Sequence, residues 1–158
     1  MKPKRRLAAI ALALLTAVLL FGACTRGVLL HHYQPVGADG WARADTLRFV
    51  LPQAPAEADY EVYLGMRYTN TFPYEGIWVV AETRLAHPTA LLLDTLYLTT
   101  ADEAGRSLGR GVAIGQREQL LGILRLHTGQ GGTIRLHHIM TREVVPDISD
   151  IGLRVAIP

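Results

Sequence analysis

Tyr60-Glu61-Val62-Tyr63-Leu64-Gly65-Met66-Arg67-Tyr68 decides the fold. Tyr60, Val62, Leu64, Met66 and Tyr68 share one parity; Glu61, Tyr63, Gly65 and Arg67 share the other. Successive side chains of a strand point to opposite faces, whereas a helix gathers positions three and four apart, so this alternation predicts a strand with one buried face. The same pattern recurs on both sides. Leu47, Phe49 and Leu51 oppose Thr46, Arg48 and Val50 until Pro52 and Pro55 end the run, because proline gives no ladder hydrogen bond. Ile77, Val79, Ala81, Thr83 and Leu85 form a third run before His87-Pro88, and Leu91 to Thr100 a fourth. Leu120 to His127, Thr133 to Met140 and Ile151 to Ile157 follow, with Gly129 to Gly132 predicted as a tight connection. Ala101 to Gly115 is rich in turn residues, with a short strand expected around Val112 to Ile114, and Gln116 to Leu121 has mild helical character. Seven or eight strands spaced roughly 8 to 15 residues apart predict an all-β fold, an antiparallel β-sandwich.

The N-terminus carries a different signal. Lys2, Lys4, Arg5 and Arg6 precede an apolar run from Leu7 to Phe21 broken only by Thr16, and Gly22-Ala23-Cys24 follows. A basic segment, an apolar segment and small residues at the cut form a secretory signal peptide, and a cysteine directly after the small residues makes a bacterial lipobox. A retained signal-anchor helix is the rival reading, but the 17 residues from Leu7 to Ala23 stand at the short edge of what spans a bilayer core. The expected layout is therefore a signal peptide over 1–23, a lipidated N-terminus and tether over 24–40, with an optional edge strand over Val28 to Tyr33, and a sandwich domain over 41–158. Cys24 is the lipidation site and the sole cysteine, which leaves no thiol for a disulfide. Removal of four cations and no acid changes the formal charge from +2 to −2. No cationic stripe of the kind that grips nucleic acid remains.

Candidate chemistry is sparse. His31-His32 and His137-His138 are adjacent pairs whose rings point to opposite faces of a strand, and no His, Cys, Asp or Glu set has ligand spacing, so no metal or cofactor is expected. Gly109-Arg110-Gly111-Val112-Ala113-Ile114-Gly115 lacks the Lys-Ser/Thr of a phosphate loop and no long helix follows it. Ser107 and Ser149, the only serines, stand outside any nucleophile elbow. Carboxylates such as Glu61, Glu75, Glu82 and Asp94 are scattered, so a hydrolase would have to assemble a facing pair in a groove, and no enzymatic activity is expected. Tyr33, Trp41, Tyr63, Tyr68, Phe72, Tyr74 and Trp78 read as exposed or half-exposed aromatics, with burial of Tyr68 and Trp78 in the interior as the alternative. Phe72-Pro73-Tyr74 with Trp78 offers a platform for a sugar ring or an apolar partner.

The order of these blocks resembles the gliding-motility lipoprotein GldH family of Bacteroidota. The resemblance rests on the lipobox, Trp41 ahead of Leu47-Arg48-Phe49, and the strand Tyr60 to Tyr68 running through Asn70 into Phe72-Pro73-Tyr74. It continues through Gly109-x-Gly111 to His138-Ile139-Met140-Thr141-Arg142, Pro146-Asp147-Ile148-Ser149-Asp150 and Ile151-Gly152-Leu153-Arg154-Val155. Leu108 stands where the family usually has an aromatic, and Thr141 opens its C-terminal Met-Arg. The resemblance implies a non-enzymatic accessory or assembly lipoprotein of gliding motility and the linked type IX secretion machinery. The expected location is the outer membrane, facing the periplasm. Its expected partners are the membrane, through the anchor, and other envelope proteins of that machinery. Asn70, Phe72 and Tyr74 in one loop, with Arg142 and Asp147 in another, are the expected partner-binding residues; a carbohydrate-binding lipoprotein is the alternative.

Overall fold

The computed structural model describes residues 27–158. The expected signal peptide over 1–23 and the expected lipidation site Cys24 lie outside those residues. Ten strands follow in order: β1 Val28–Pro35, β2 Trp41–Ala42, β3 Leu47–Leu51, β4 Ala58–Thr69, β5 Gly76–Ala86, β6 Ala90–Thr99, β7 Ile114–Leu126, β8 Gly131–His138, β9 Val144–Val145 and β10 Ile148–Ala156. Two four-stranded sheets, ordered β1-β10-β4-β7 and β3-β8-β5-β6, are joined by a two-stranded ribbon of β2 and β9. All pairings are antiparallel. The fold is the expected all-β sandwich.

The alternation read from the sequence becomes the inner faces of the two sheets. Tyr60, Val62, Leu64, Met66 and Tyr68 of β4 and Ile151, Leu153 and Val155 of β10 are buried on one side. Phe49, Leu51, Ile77, Val79, Ala81, Ile134 and Leu136 are buried on the other, and all belong to one continuous core. Removing each of the larger aliphatic and Phe side chains among them from water stabilises the fold by about 1.5–3 kcal/mol, which supplies the drive to bring strands distant in sequence together. Gln119 closes one edge between the sheets: its Nε2 donates to the Tyr97 carbonyl at 3.0 Å and its Oε1 accepts from the Thr99 amide at 3.1 Å.

Several expectations change. Val28–Pro35, read as tether with an optional short strand, is a full edge strand paired with β10 from Val28↔Ala156 to Pro35↔Asp150. Gln116 to Leu121 is not helical but lies within β7, held in register with β4 by long-range pairing that overrides local propensity. Val112 is 98% exposed in a bend, and the strand expected around Val112 to Ile114 begins only at Ile114. Gly129 to Gly132 does not turn a hairpin, since β7 and β8 pair in different sheets; it carries the chain across the sandwich. Trp41 and Tyr68 are buried, at 0% and 3% exposure, whereas Trp78 is 47% exposed on the outer face of the second sheet.

Trp41 owes its burial to the ribbon. Pairing of Trp41 with Val145 folds β2 over the end of the sandwich, where the indole Nε1 donates to the Asp45 carbonyl at 2.9 Å and the ring meets His138 edge-on at 5.3 Å. His138 Nδ1 accepts from the Met140 amide at 3.3 Å, so the neutral ring carries its proton on Nε2, 3.0 Å from the Trp41 carbonyl oxygen. Burial pushes the His138 pKa below its ordinary value of 6.5; the Trp41 carbonyl opposes this, and the nearby Arg43 and His137 charges add to it. The unfolded chain therefore binds a proton that the fold refuses, so stability present above pH about 6.5 declines as pH falls toward the folded value. The melting temperature is expected to drop between pH 7 and pH 5, and His138→Gln to flatten that slope in a thermal melt series.

Candidate functional site

Strand directions sort the loops by pole. β1 and β4 run parallel on either side of β10, so the chain enters at Gly27 at one end, while Pro35, Thr69 and the start of β7 lie at the other. Tyr68 Oη donates to the Thr100 carbonyl at 3.1 Å, which fixes the end of β6 at that second pole too. The connections Val36–Gly40, Asn70–Glu75, Thr100–Ala113 and Ile139–Asp147 therefore all gather opposite the entry point.

Two of these loops are stitched into one surface. Thr69 and Thr71 hydroxyls each donate to Asp147 Oδ1 at 3.1 Å, and the Thr69 amide donates to the Asp147 carbonyl at 2.9 Å. Asp147 holds a φ of 63°, a left-handed conformation that Asp tolerates better than most residues. Arg43 donates to the carbonyls of Met140 and Thr141 and so fastens the second loop from beneath. Thr100 Oγ1 donates to the Tyr74 carbonyl at 2.9 Å, and its amide to that of Glu75 at 2.8 Å. Phe72 packs between Tyr68, tilted at 5.4 Å, and Tyr74, edge-on at 5.6 Å.

The five residues expected to bind a partner thus share this pole in different states. Asn70 and Arg142 are exposed; Phe72, Tyr74 and Asp147 are half-buried, the two aromatics packed on the core and the carboxylate engaged by the threonines. The exposed surface of the first loop comes from Asn70, Thr71, Pro73 and Glu75.

A second constellation escaped the sequence reading. Tyr33, Gly152, Gly65 and Glu118 stand in one cross-strand row over β1, β10, β4 and β7. The Tyr33 ring lies across the two glycines and its hydroxyl donates to Glu118 Oε1 at 3.1 Å. Arg154 Nε donates to Glu118 Oε2 at 3.0 Å while its guanidinium covers Tyr63 at 3.9 Å, and Arg67 covers Tyr33 at 4.3 Å. Burial would raise the Glu118 pKa, but hydrogen bonds from Arg154 and Tyr33 and the Arg154 and His31 charges outweigh it and hold the carboxyl below its usual range. Burial, then the Glu118 charge and hydrogen bond, push the Tyr33 phenol up. A groove of about 520 Å³ beside this row is lined by Tyr63, Leu108, Arg110, Gln116, Arg117, Glu118 and Arg154, and so holds one carboxylate. A Cβ at Gly152 would stand 2.6 Å from Tyr33 Cδ1. Gly152→Val should displace Tyr33 and cost about 2–3 kcal/mol in a denaturant melt; in a Tyr33→Ala background the same change should cost much less.

The two histidine pairs point to opposite faces as expected. His32 meets Phe49 at 6.2 Å whereas His31 lies 3.5 Å from Glu118, and His138 is buried whereas His137 is half-buried. Trp78 tilts against Tyr97 at 5.0 Å and 47°.

A family model described as GldH lipoprotein matches residues 28–155, from the first strand to the last. No curated protein matches the chain.

Proposed function

The chain belongs to the GldH lipoprotein family, and from that membership we propose a non-enzymatic accessory or assembly role in gliding motility and the linked type IX secretion machinery. The family places it in the cell envelope as a lipid-anchored protein. In this reading the anchor is Cys24, the membrane is the outer one, and the domain faces the periplasm.

One observation carries the reading: the stitched loops stand at the pole opposite Gly27, so an anchor just before Gly27 leaves that surface at the far end of the domain, open to other envelope proteins. Loops on a rigid sandwich are suited to recognition because the scaffold, not the loop, bears the cost of order. Replacing Asn70, Pro73 and Arg142 together, by Ala, Ala and Glu, is expected to remove partners recovered by pull-down and mass spectrometry from native envelopes. All three are exposed, so stability should change by no more than about 0.5 kcal/mol each. An unchanged partner set would refute the assignment of this pole.

The second reading, a carbohydrate-binding lipoprotein, draws on Trp78, whose half-exposed ring beside Tyr97 offers an apolar face for a sugar.

A further inference from the structure

The outer face of the second sheet differs from that of the first in charge. On the first, Arg125 pairs with Asp59 and Arg154 with Glu118, and Arg67 stands opposite Asp150. On the second, Arg48 of β3 stands directly opposite Arg135 of β8, and Arg84 of β5 opposite Thr133 of β8. Glu82 is the one carboxylate among them, with Oε1 2.6 Å from Arg84 Nε and 3.9 Å from Arg135 Nη1. Like charges directly opposite on neighbouring strands are unfavourable until an anion joins them. The three arginines, with Thr46 and Thr133, line a shallow groove of about 420 Å³.

Aliphatic side chains share this face. Val50 is 65% exposed, Leu91 58% and Leu93 66%, all on the outward parity of their strands. Cations mixed with exposed aliphatics make the composition of a surface that lies in a membrane interface. β3 is the edge strand beside β1: Gln34 Nε2 donates to the Arg48 carbonyl at 2.7 Å and His32 meets Phe49, so β3 runs back along β1 toward the entry point and Val50 lies nearer to it than Arg48 does. Two residues, Thr25 and Arg26, separate Cys24 from Gly27, a reach of about 10 Å.

We infer that the outer face of the second sheet docks on the bilayer holding the anchor, with Arg48, Arg84 and Arg135 taking anionic phospholipid headgroups and Val50, Leu91 and Leu93 bedded among them. This rests on the lipid anchor at Cys24 proposed above. A second copy is the poorer occupant, because two arginine faces repel. The short tether sets the β3 edge of the sandwich against the headgroups, and the cations then tip the second sheet onto them.

The test uses the full-length lipidated protein in vesicles. With Cys24 acylated, Val50→Cys, Leu93→Cys or Leu120→Cys supplies the only free thiol, and each takes an environment-sensitive fluorophore; Leu120 is exposed on the outer face of the first sheet. In phosphatidylethanolamine vesicles containing phosphatidylglycerol and a lipid-borne quencher, the labels at positions 50 and 93 are expected to be quenched about fivefold more than the label at 120. That difference should vanish in phosphatidylcholine vesicles, at high salt, and in the Arg48→Gln/Arg84→Gln/Arg135→Gln variant, with co-sedimentation unchanged. Equal quenching at all three positions in sedimented protein overturns the docking face. Protection that tracks the protein-to-lipid ratio assigns the face to a second copy and also overturns it. Failure to sediment with any vesicle overturns the anchor reading, and the docking face with it.

Discussion

Replacing Trp41 with alanine is expected to lower stability by about 4 kcal/mol, a loss of roughly 15 °C in melting temperature for a domain of this size. Trp41 is fully buried and is among the largest side chains in the core. Its loss leaves a void bordered by His138, removes the indole donor from the Asp45 carbonyl, and loosens the pairing with Val145 that seats β9. Because β9 ends the loop carrying Arg142 and precedes Asp147, the damage should be local as well as global. Limited proteolysis is expected to cut between Thr141 and Asp147 in the variant well before the wild-type domain is cut. Trp41→Phe, which keeps much of the volume and loses the donor, should cost about half as much. A melt of Trp41→Ala within a degree or two of wild type would show that the ribbon contributes nothing to the core.

Cys24→Ser is expected to abolish fatty-acid incorporation and to leave the precursor uncleaved. In the proposed anchor the thiolate forms the thioether, and each buried methylene of an acyl chain contributes about 0.8 kcal/mol, so two or three chains would hold the protein firmly where one holds it marginally. The described strands begin at Val28 and their core is complete without the lipid, so the melting temperature of the domain should not move. Palmitate labelling with intact-mass measurement checks both halves of the expectation. Label retained by the serine variant would place the anchor elsewhere.

Fold class was legible because side-chain alternation is local. Tyr60 to Tyr68, Leu47 to Leu51 and Ile77 to Leu85 were read with the correct inward parity, since backbone pleating alone sets which way each Cβ points. Elements that failed were those where neighbours in space decide. Gln116 to Leu121 reads as mildly helical until β4 pairs with it, and Val28 to Pro35 lacks a clear period because an edge strand buries little of either face. Among the site residues, Asn70 and Arg142 are exposed, whereas Phe72, Tyr74 and Asp147 are half-buried and hold the surface together, through contacts to the core and to the threonines that no local window contains.

The sequence by itself determined the all-β class, the inner faces of its central strands and the family blocks, all of which are written in short spans of chain. The tertiary structure alone decided that Tyr33 covers Gly65 and Gly152, that Trp41 is interior, that three arginines share one sheet face, and that the stitched loops stand opposite Gly27. Those are outcomes of strand order, and strand order is set by the burial of one shared core among segments far apart in the chain, an energy that no local window contains.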